Sequence, residues 1–163
     1  DADDLKQILI EPKNSIINQY KKLFKMDGIS FSVDKKALDL IAKHRQAGDD
    51  LLIITATNAF ITRPIATLLG FADLIAPEPE VIDGKYTGRI TGIPSFHQGK
   101  VTRLEMWLAE KELNLEGAFF YSDSHNDLPL LNLVDHPVAV DSDEILTATA
   151  TRNGWPIISL RNA

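Results

Sequence analysis

A chain of 163 residues with 44% hydrophobic content is long enough to bury one substantial core and too short for two ordinary domains. Its 17 Lys and Arg against 23 Asp and Glu give a formal charge of -6, with the basic residues scattered, which argues against a nucleic-acid surface. The lack of cysteine excludes disulfides, zinc-thiolate centres and thiol nucleophiles and agrees with a reducing cytoplasm, while no apolar run approaches the ~20 residues of a membrane span.

The first segment begins Asp-Ala-Asp-Asp-Leu-Lys, acidic where a secretory signal would be basic and apolar, and without an initiator methionine. Across residues 1–33, Leu5, Ile8, Leu9, Ile16, Ile17 and Leu23 suggest one or two helices interrupted at Pro12. From Lys35 to Gln46, the residues Ala37, Leu38, Leu40, Ile41 and Ala42 fall mostly on one helical face, and Ala47-Gly48 is a natural stop. Leu51-Leu52-Ile53-Ile54 is a short continuous apolar run, as expected of a strand buried on both faces of a parallel sheet, and it ends in Thr55-Ala56-Thr57-Asn58. A helix follows toward Gly70, with Thr62 as its cap and Pro64 in its first turn, and Leu74-Ile75-Ala76 reads as a further short strand.

The pattern then changes. Val81-Ile82, Asp83-Gly84 and Tyr86 to Ile90 predict a two-stranded hairpin on a tight Asp-Gly turn, an excursion from the main sheet. Gly99-Lys100 opens a helix through Val101, Leu104, Met106, Trp107 and Leu108. Gly117 to Tyr121 is the next strand, Leu128 to Leu133 the next helix, Pro137 to Val140 another strand, Ile145 to Arg152 a weaker helix, and Trp155 to Ile158 a short terminal strand. Strands alternating with helices predict an α/β three-layer domain with a mostly parallel sheet, in which ligands bind beyond the carboxyl ends of the strands.

At that edge the sequence places a hydroxyl and free amides at Thr55, Ala56, Thr57 and Asn58, a lysine at a helix start, Lys100, and the acidic run Tyr121-Ser-Asp-Ser-His-Asn-Asp127. Each has a plain structural explanation. Thr55 and Thr57 suit a turn, Lys100 suits a solvated surface, and Ser124 with Asp127 suits a helix N-cap pair before Leu128, Leu130 and Leu131. Together they suit phosphate. Carboxylates at Asp123 and Asp127 favour a hard divalent cation that holds one phosphate oxygen, amides and a hydroxyl hold another, and a fixed ammonium neutralises the remainder.

In this order Thr-Ala-Thr-Asn, the Gly99-Lys100 helix start and YSDSHNDLPLL resemble motifs two, three and four of the haloacid dehalogenase superfamily, and more narrowly its phosphoserine-phosphatase-like branch, over about Lys35 to Ile158. The resemblance implies a Rossmann-like core over residues 34–163 and the end of an α-helical cap over 1–33. It implies an Mg²⁺-dependent phosphatase acting on a small phosphorylated metabolite of the phosphoserine kind. Thr55 and the Ala56 amide would bind phosphate, with Thr57 in the same motif. Lys100 would stabilise phosphate and nucleophile, Asp123 would ligate the metal, Asp127 would bind the metal or its waters, and Asn126 would support the loop. Ser122 stands where the family usually has glycine. The family's first motif, a buried strand ending in Asp-x-Asp whose first aspartate becomes an aspartyl-phosphate, has no match, because Asp1-Ala2-Asp3 follows no strand. The sequence therefore reads as the downstream part of a longer protein.

The competing classes are a relative that binds phosphate or a partner without turnover, and a phospho-accepting receiver. A receiver has its acidic cluster first and its lysine last, the reverse of the order here. Val101 after Lys100 rules out a nucleotide-binding loop, and His44, His97, His125 and His136 lack the paired spacing of a zinc hydrolase.

Overall fold

The computed structural model describes residues 33–161; the helices expected around Pro12 and the cap remnant lie outside the described residues. The chain runs α1 (Lys35–Ala47), β1 (Leu52–Ile54), α2 (Ala59–Leu68), β2 (Asp73–Ile75), β3 (Glu78–Ile82), β4 (Lys85–Thr91), α3 (Gln98–Lys111), β5 (Phe119–Ser122), a 3₁₀ turn (His125–Asp127), α4 (Leu128–Leu131), β6 (His136–Val140), α5 (Glu144–Asn153) and β7 (Ile157–Ile158).

All strands of the α/β layer pair in parallel, as their continuous apolar runs require. β1 pairs with β2, Ile53 opposite Leu74, and β5, β6 and β7 form a second parallel sheet with Tyr121 opposite Val138 and Ala139 opposite Ile157. Among the described residues β1 and β5 do not pair with each other, so each ends its sheet. They are joined through the helical layer instead. Val101 and Leu104 of α3 and Leu130 of α4 form a buried cluster against Leu52 and Ile54 of β1 and Phe120 of β5. A second cluster, Leu131, Ala139, Leu146 and Ala150, packs α4 and α5 on β6, again with Phe120. Strand alternation turns the neighbours of Phe120 to the other face. There Tyr121 meets α1, its hydroxyl 2.7 Å from His44 Nε2, while His44 Nδ1 lies 2.7 Å from Asp49. The result is the expected α/β/α layering.

The β3–β4 excursion is an antiparallel hairpin, Val81 opposite Tyr86, with Asp83 and Gly84 both at positive φ as a tight two-residue turn demands. One capping expectation is corrected. The helix after β1 starts at Ala59 and is capped by Asn58, whose Oδ1 accepts from Phe60 N at 2.8 Å, rather than by Thr62. The Ala59 amide is held by Pro77 O at 2.9 Å, a bond from distant sequence that fixes the helix start. Pro64 thus lies inside α2, where it forfeits one backbone hydrogen bond. The helix after the acidic run is also shorter than predicted, stopping at Leu131, and the weaker helix is longer, ending at Asn153 on a left-handed Gly154.

The entry to α3 depends on Gly99. A Cβ built there would stand 2.0 Å from Pro94 O, a backbone atom with no freedom to rotate away. Gly99→Ala is expected to destabilise the protein by about 2 kcal/mol, as overpacking does, and to lower the thermal midpoint by several degrees. A melting curve that superimposes on the wild type would contradict this reading of the turn.

Candidate active site

The carboxyl end of β1 supplies one wall of the site. The Thr55 amide extends the β1–β2 ladder by donating to Ile75 O at 2.9 Å, and the chain then turns sharply. Thr57 N donates to Thr55 Oγ1 at 3.0 Å, so that hydroxyl oxygen is oriented from behind and its proton is left to donate forward. Thr55 and Ala56 line a cavity of about 500 Å³; Thr57 is exposed outside it.

The opposite wall is the loop after β5, with the start of α3 beneath. Lys100 is only 6% exposed, which sets aside the solvated-surface reading. Its ammonium lies 2.5 Å from Asp127 Oδ1. Asp127 is itself buried, and Ser122 Oγ donates to its other oxygen at 2.8 Å while accepting from Ser124 N at 3.1 Å. The residue in the glycine position of the motif thus locks the loop. Asp127 does not reach back to cap with Ser124. Ser124 Oγ accepts from Asn126 N at 3.2 Å and Asn126 Nδ2 at 3.1 Å, so the capping reading is right for Ser124 and wrong for its partner.

Lys100, Asp123, Asn126 and Asp127 line the same cavity as Thr55 and Ala56. The two aspartates differ in state. Asp127 is enclosed and committed to a cation; Asp123 is exposed, with no side-chain partner among the described residues. No three His, Asp or Glu side chains among the described residues converge as a complete metal cage would need. The donor set still fits a hard cation of the magnesium type, which takes one or two carboxylates and completes its shell with water and phosphate oxygens. Asp123, exposed on the cavity lining, is the carboxylate that could serve as such a ligand.

Further residues on this wall carried no motif in the sequence. Phe96, Asp141 and Arg161 also line the cavity. Asp141 ends β6 as Asp123 ends β5, a strand-end position that could have signalled it, but its carboxylate accepts from Ser159 Oγ at 2.6 Å and Leu160 N at 3.1 Å. His125 turns away from the cavity: Asp143 accepts from its amide at 2.7 Å and lies 2.9 Å from its Nδ1.

The chain matches the family model described as haloacid dehalogenase-like hydrolase over residues 12–132. It is 45% identical over 126 residues to a protein of Neisseria meningitidis named histidinol-phosphatase, covering 75% of this chain and 57% of that protein. A phosphoserine phosphatase of Mycobacterium tuberculosis is 35% identical over 125 residues, covering 77% of this chain and 41% of its own length, so the chain spans about half the length of the relatives it matches. A crystal structure of a Bordetella pertussis protein with unknown function superposes with a TM-score of 0.80 at 40% identity, covering 98% of this chain and 73% of that one. A substrate-bound phosphoserine phosphatase superposes with a TM-score of 0.64 at 21% identity, covering 89% and 65%, a likeness of fold.

The loop's second anchor, Asp143, titrates unusually. Burial pushes its carboxyl up, but hydrogen bonds from the Leu146 and His125 amides and the His125 ring, with the charge of that ring, outweigh it and hold the value at about 2. The folded state therefore binds this proton less tightly than the unfolded chain, where the ordinary value is about 3.9. Its stabilisation is complete above about pH 4 and is lost as pH falls toward 2. Asp143→Asn is expected to lower the urea midpoint at pH 6, with the difference from wild type narrowing between pH 4 and pH 2.5. A difference that stays constant over that range would refute the assignment.

Proposed function

The chain belongs to the haloacid dehalogenase-like hydrolase family, and from that premise we propose that the whole protein is a phosphomonoester phosphatase. The observation that carries this reading is the buried Lys100–Asp127 pair opening onto the same cavity as Thr55 and Asp123. The buried lysine contacts a carboxylate on a lining that also carries an exposed carboxylate and a strand-end hydroxyl. Such a set matches a phosphate dianion together with a cation.

In this proposal the Thr55 hydroxyl and the Ala56 amide donate to one phosphate oxygen and Lys100 neutralises another. Thr57 contributes by orienting Thr55, and Asn126 by supporting the loop beside the phosphate. Asp127 positions Lys100 and meets the metal or its waters; Asp123 is the direct ligand. Bound Mg²⁺ would act as a Lewis acid, polarising a phosphate oxygen. The nucleophile that the family resemblance implies is an aspartate at the end of a strand that is not among the described residues, and we propose that it lies in another part of the whole protein. Among the described residues β1 and β5 each carry a strand on one edge and none on the other, which supports that assignment, since an intervening strand would have both edges to pair with. Residues 1–33 are proposed as the end of an α-helical cap, with 34–163 the core.

The substrate proposed is a small phosphorylated metabolite with an amino-acid-like body, phosphoserine or, following the Neisseria relative, histidinol phosphate. A cytoplasmic site of action is proposed from the cysteine-free sequence. No helix among the described residues is long and apolar enough to cross a membrane.

The test is phosphate release by the full-length protein. Activity on 4-nitrophenyl phosphate should require Mg²⁺ and vanish with EDTA. Asp123→Asn and Lys100→Ala should each reduce kcat/KM by roughly 10²-fold or more, the scale of losing one charged contact to the transition state. Lys100→Ala should also cost about 3–5 kcal/mol of stability, because Asp127 is left buried without its cation. Phosphate binding without turnover in the wild type would instead favour a catalytically inactive, phosphate- or partner-binding relative.

A further inference from the structure

A second cavity, of about 360 Å³, adjoins the first and shares Ala56 and Phe96 with it. Asn58, Pro77, Ile90, Pro94 and Ser95 complete its lining. Nothing in the sequence motifs points to it.

Its character differs sharply from that of the phosphate cavity. No Asp, Glu, Lys, Arg or His among the described residues lines it; its walls are prolines, Ile90 and the ring of Phe96. Asn58 Oδ1 is already committed to capping α2, so its amide nitrogen is the donor that this side chain can offer a ligand. Phe96 stands at the junction and is 51% exposed, a large solvent exposure for a ring beside a charged site. Its ring forms a T-shaped pair with that of His97, centroids 4.1 Å apart at 77°.

The segment carrying Phe96 is held firmly. Ser95 is fully buried and accepts from Arg103 Nη1 at 2.7 Å, and the same nitrogen donates to Ala76 O at 2.7 Å, next to Pro77 of the groove. Pro94 O abuts Gly99 closely, and His97 adopts φ 46, a left-handed conformation costly for any residue but glycine. Ring and groove are therefore preorganised, and an occupant meets a platform already in place.

We propose that this groove is the leaving-group subsite and receives an uncharged, planar ring of the phosphate ester, laid against Phe96 while the phosphate sits between Thr55 and Lys100. The inference rests on the phosphatase reading and narrows it. An ester whose body is a charged amino acid alone finds no partner in this groove, whereas an aromatic or heteroaromatic ring fills it at no electrostatic cost. Ala56 and Phe96 line both cavities, so the two meet at these residues, and in this proposal one ligand reaches from one into the other.

Equilibrium binding of phenyl phosphate and methyl phosphate to the full-length protein tests this, because the two probes share the phosphate and differ in the ring. The wild type should prefer phenyl phosphate roughly tenfold, equivalent to about 1.4 kcal/mol. Phe96→Ala and, independently, Ile90→Asp should bring that preference close to one, and Phe96→Tyr should retain it. Equal affinity for the two esters in the wild type, or a preference untouched by both Phe96→Ala and Ile90→Asp, would overturn the subsite. Failure of the wild type to bind either ester would overturn the phosphate site on which it depends, an outcome distinct from loss of the preference alone.

Discussion

A lysine in the first turn of a helix opposes the positive end of the helix dipole, and burying it strips away the water that would otherwise hold its charge. Lys100 bears both penalties, and the carboxylate that offsets them, Asp127, lies 27 residues along the chain at the close of the loop after β5. The pair therefore does more than neutralise. It fastens the start of α3 to the β5 loop and fixes the depth of the ammonium relative to Asp123. Ser122 completes the fastening by occupying Asp127's second oxygen, so the carboxylate has little freedom to rotate. The cavity owes its shape on this side to one charge-assisted contact and one hydroxyl.

That arrangement divides labour between two aspartates that the sequence presents as equivalents four positions apart. Their difference is one of burial. Both line the cavity, but Asp127 is buried against Lys100, whereas Asp123 is exposed and its carboxylate has no side-chain partner among the described residues. A neutral residue at position 100 would leave an excess of negative charge in a site whose proposed ligand is itself an anion.

Much of this was legible in the sequence because it is locally encoded. Short apolar runs marked β1 and β5, Asp83-Gly84 marked the hairpin turn, and the spacing of Thr55, Lys100 and Asp123 along a strand-helix alternation placed them at one sheet edge. What could not be read depends on contacts between distant segments. Asn58 displaces Thr62 as the cap of α2 because Pro77 O takes the Ala59 amide, and no local propensity records that bond. Asp127 looks like a capping residue until Lys100 is known to lie beneath it. Ser122 reads as a departure from a motif, and only its two hydrogen bonds give it a purpose. Phe96 belongs to no periodic pattern, since its place is set by the Gly99–Pro94 approach and by Arg103 reaching Ser95.

The division of the parallel strands into two sheets has a mechanical consequence. Among the described residues β6 has a partner on each side, whereas β1 pairs with β2 alone through a register of short strands. The Asp123 side of the cavity thus rises from the three-stranded sheet and the Thr55 side from the two-stranded one, and side-chain packing on α3 joins them, while Arg45 of α1 bonds the carbonyls of Leu69 and Gly70. The charged side chains and the strand-end hydroxyl with its amides thus stand on two separate sheets, and the helical layer sets the distance between them.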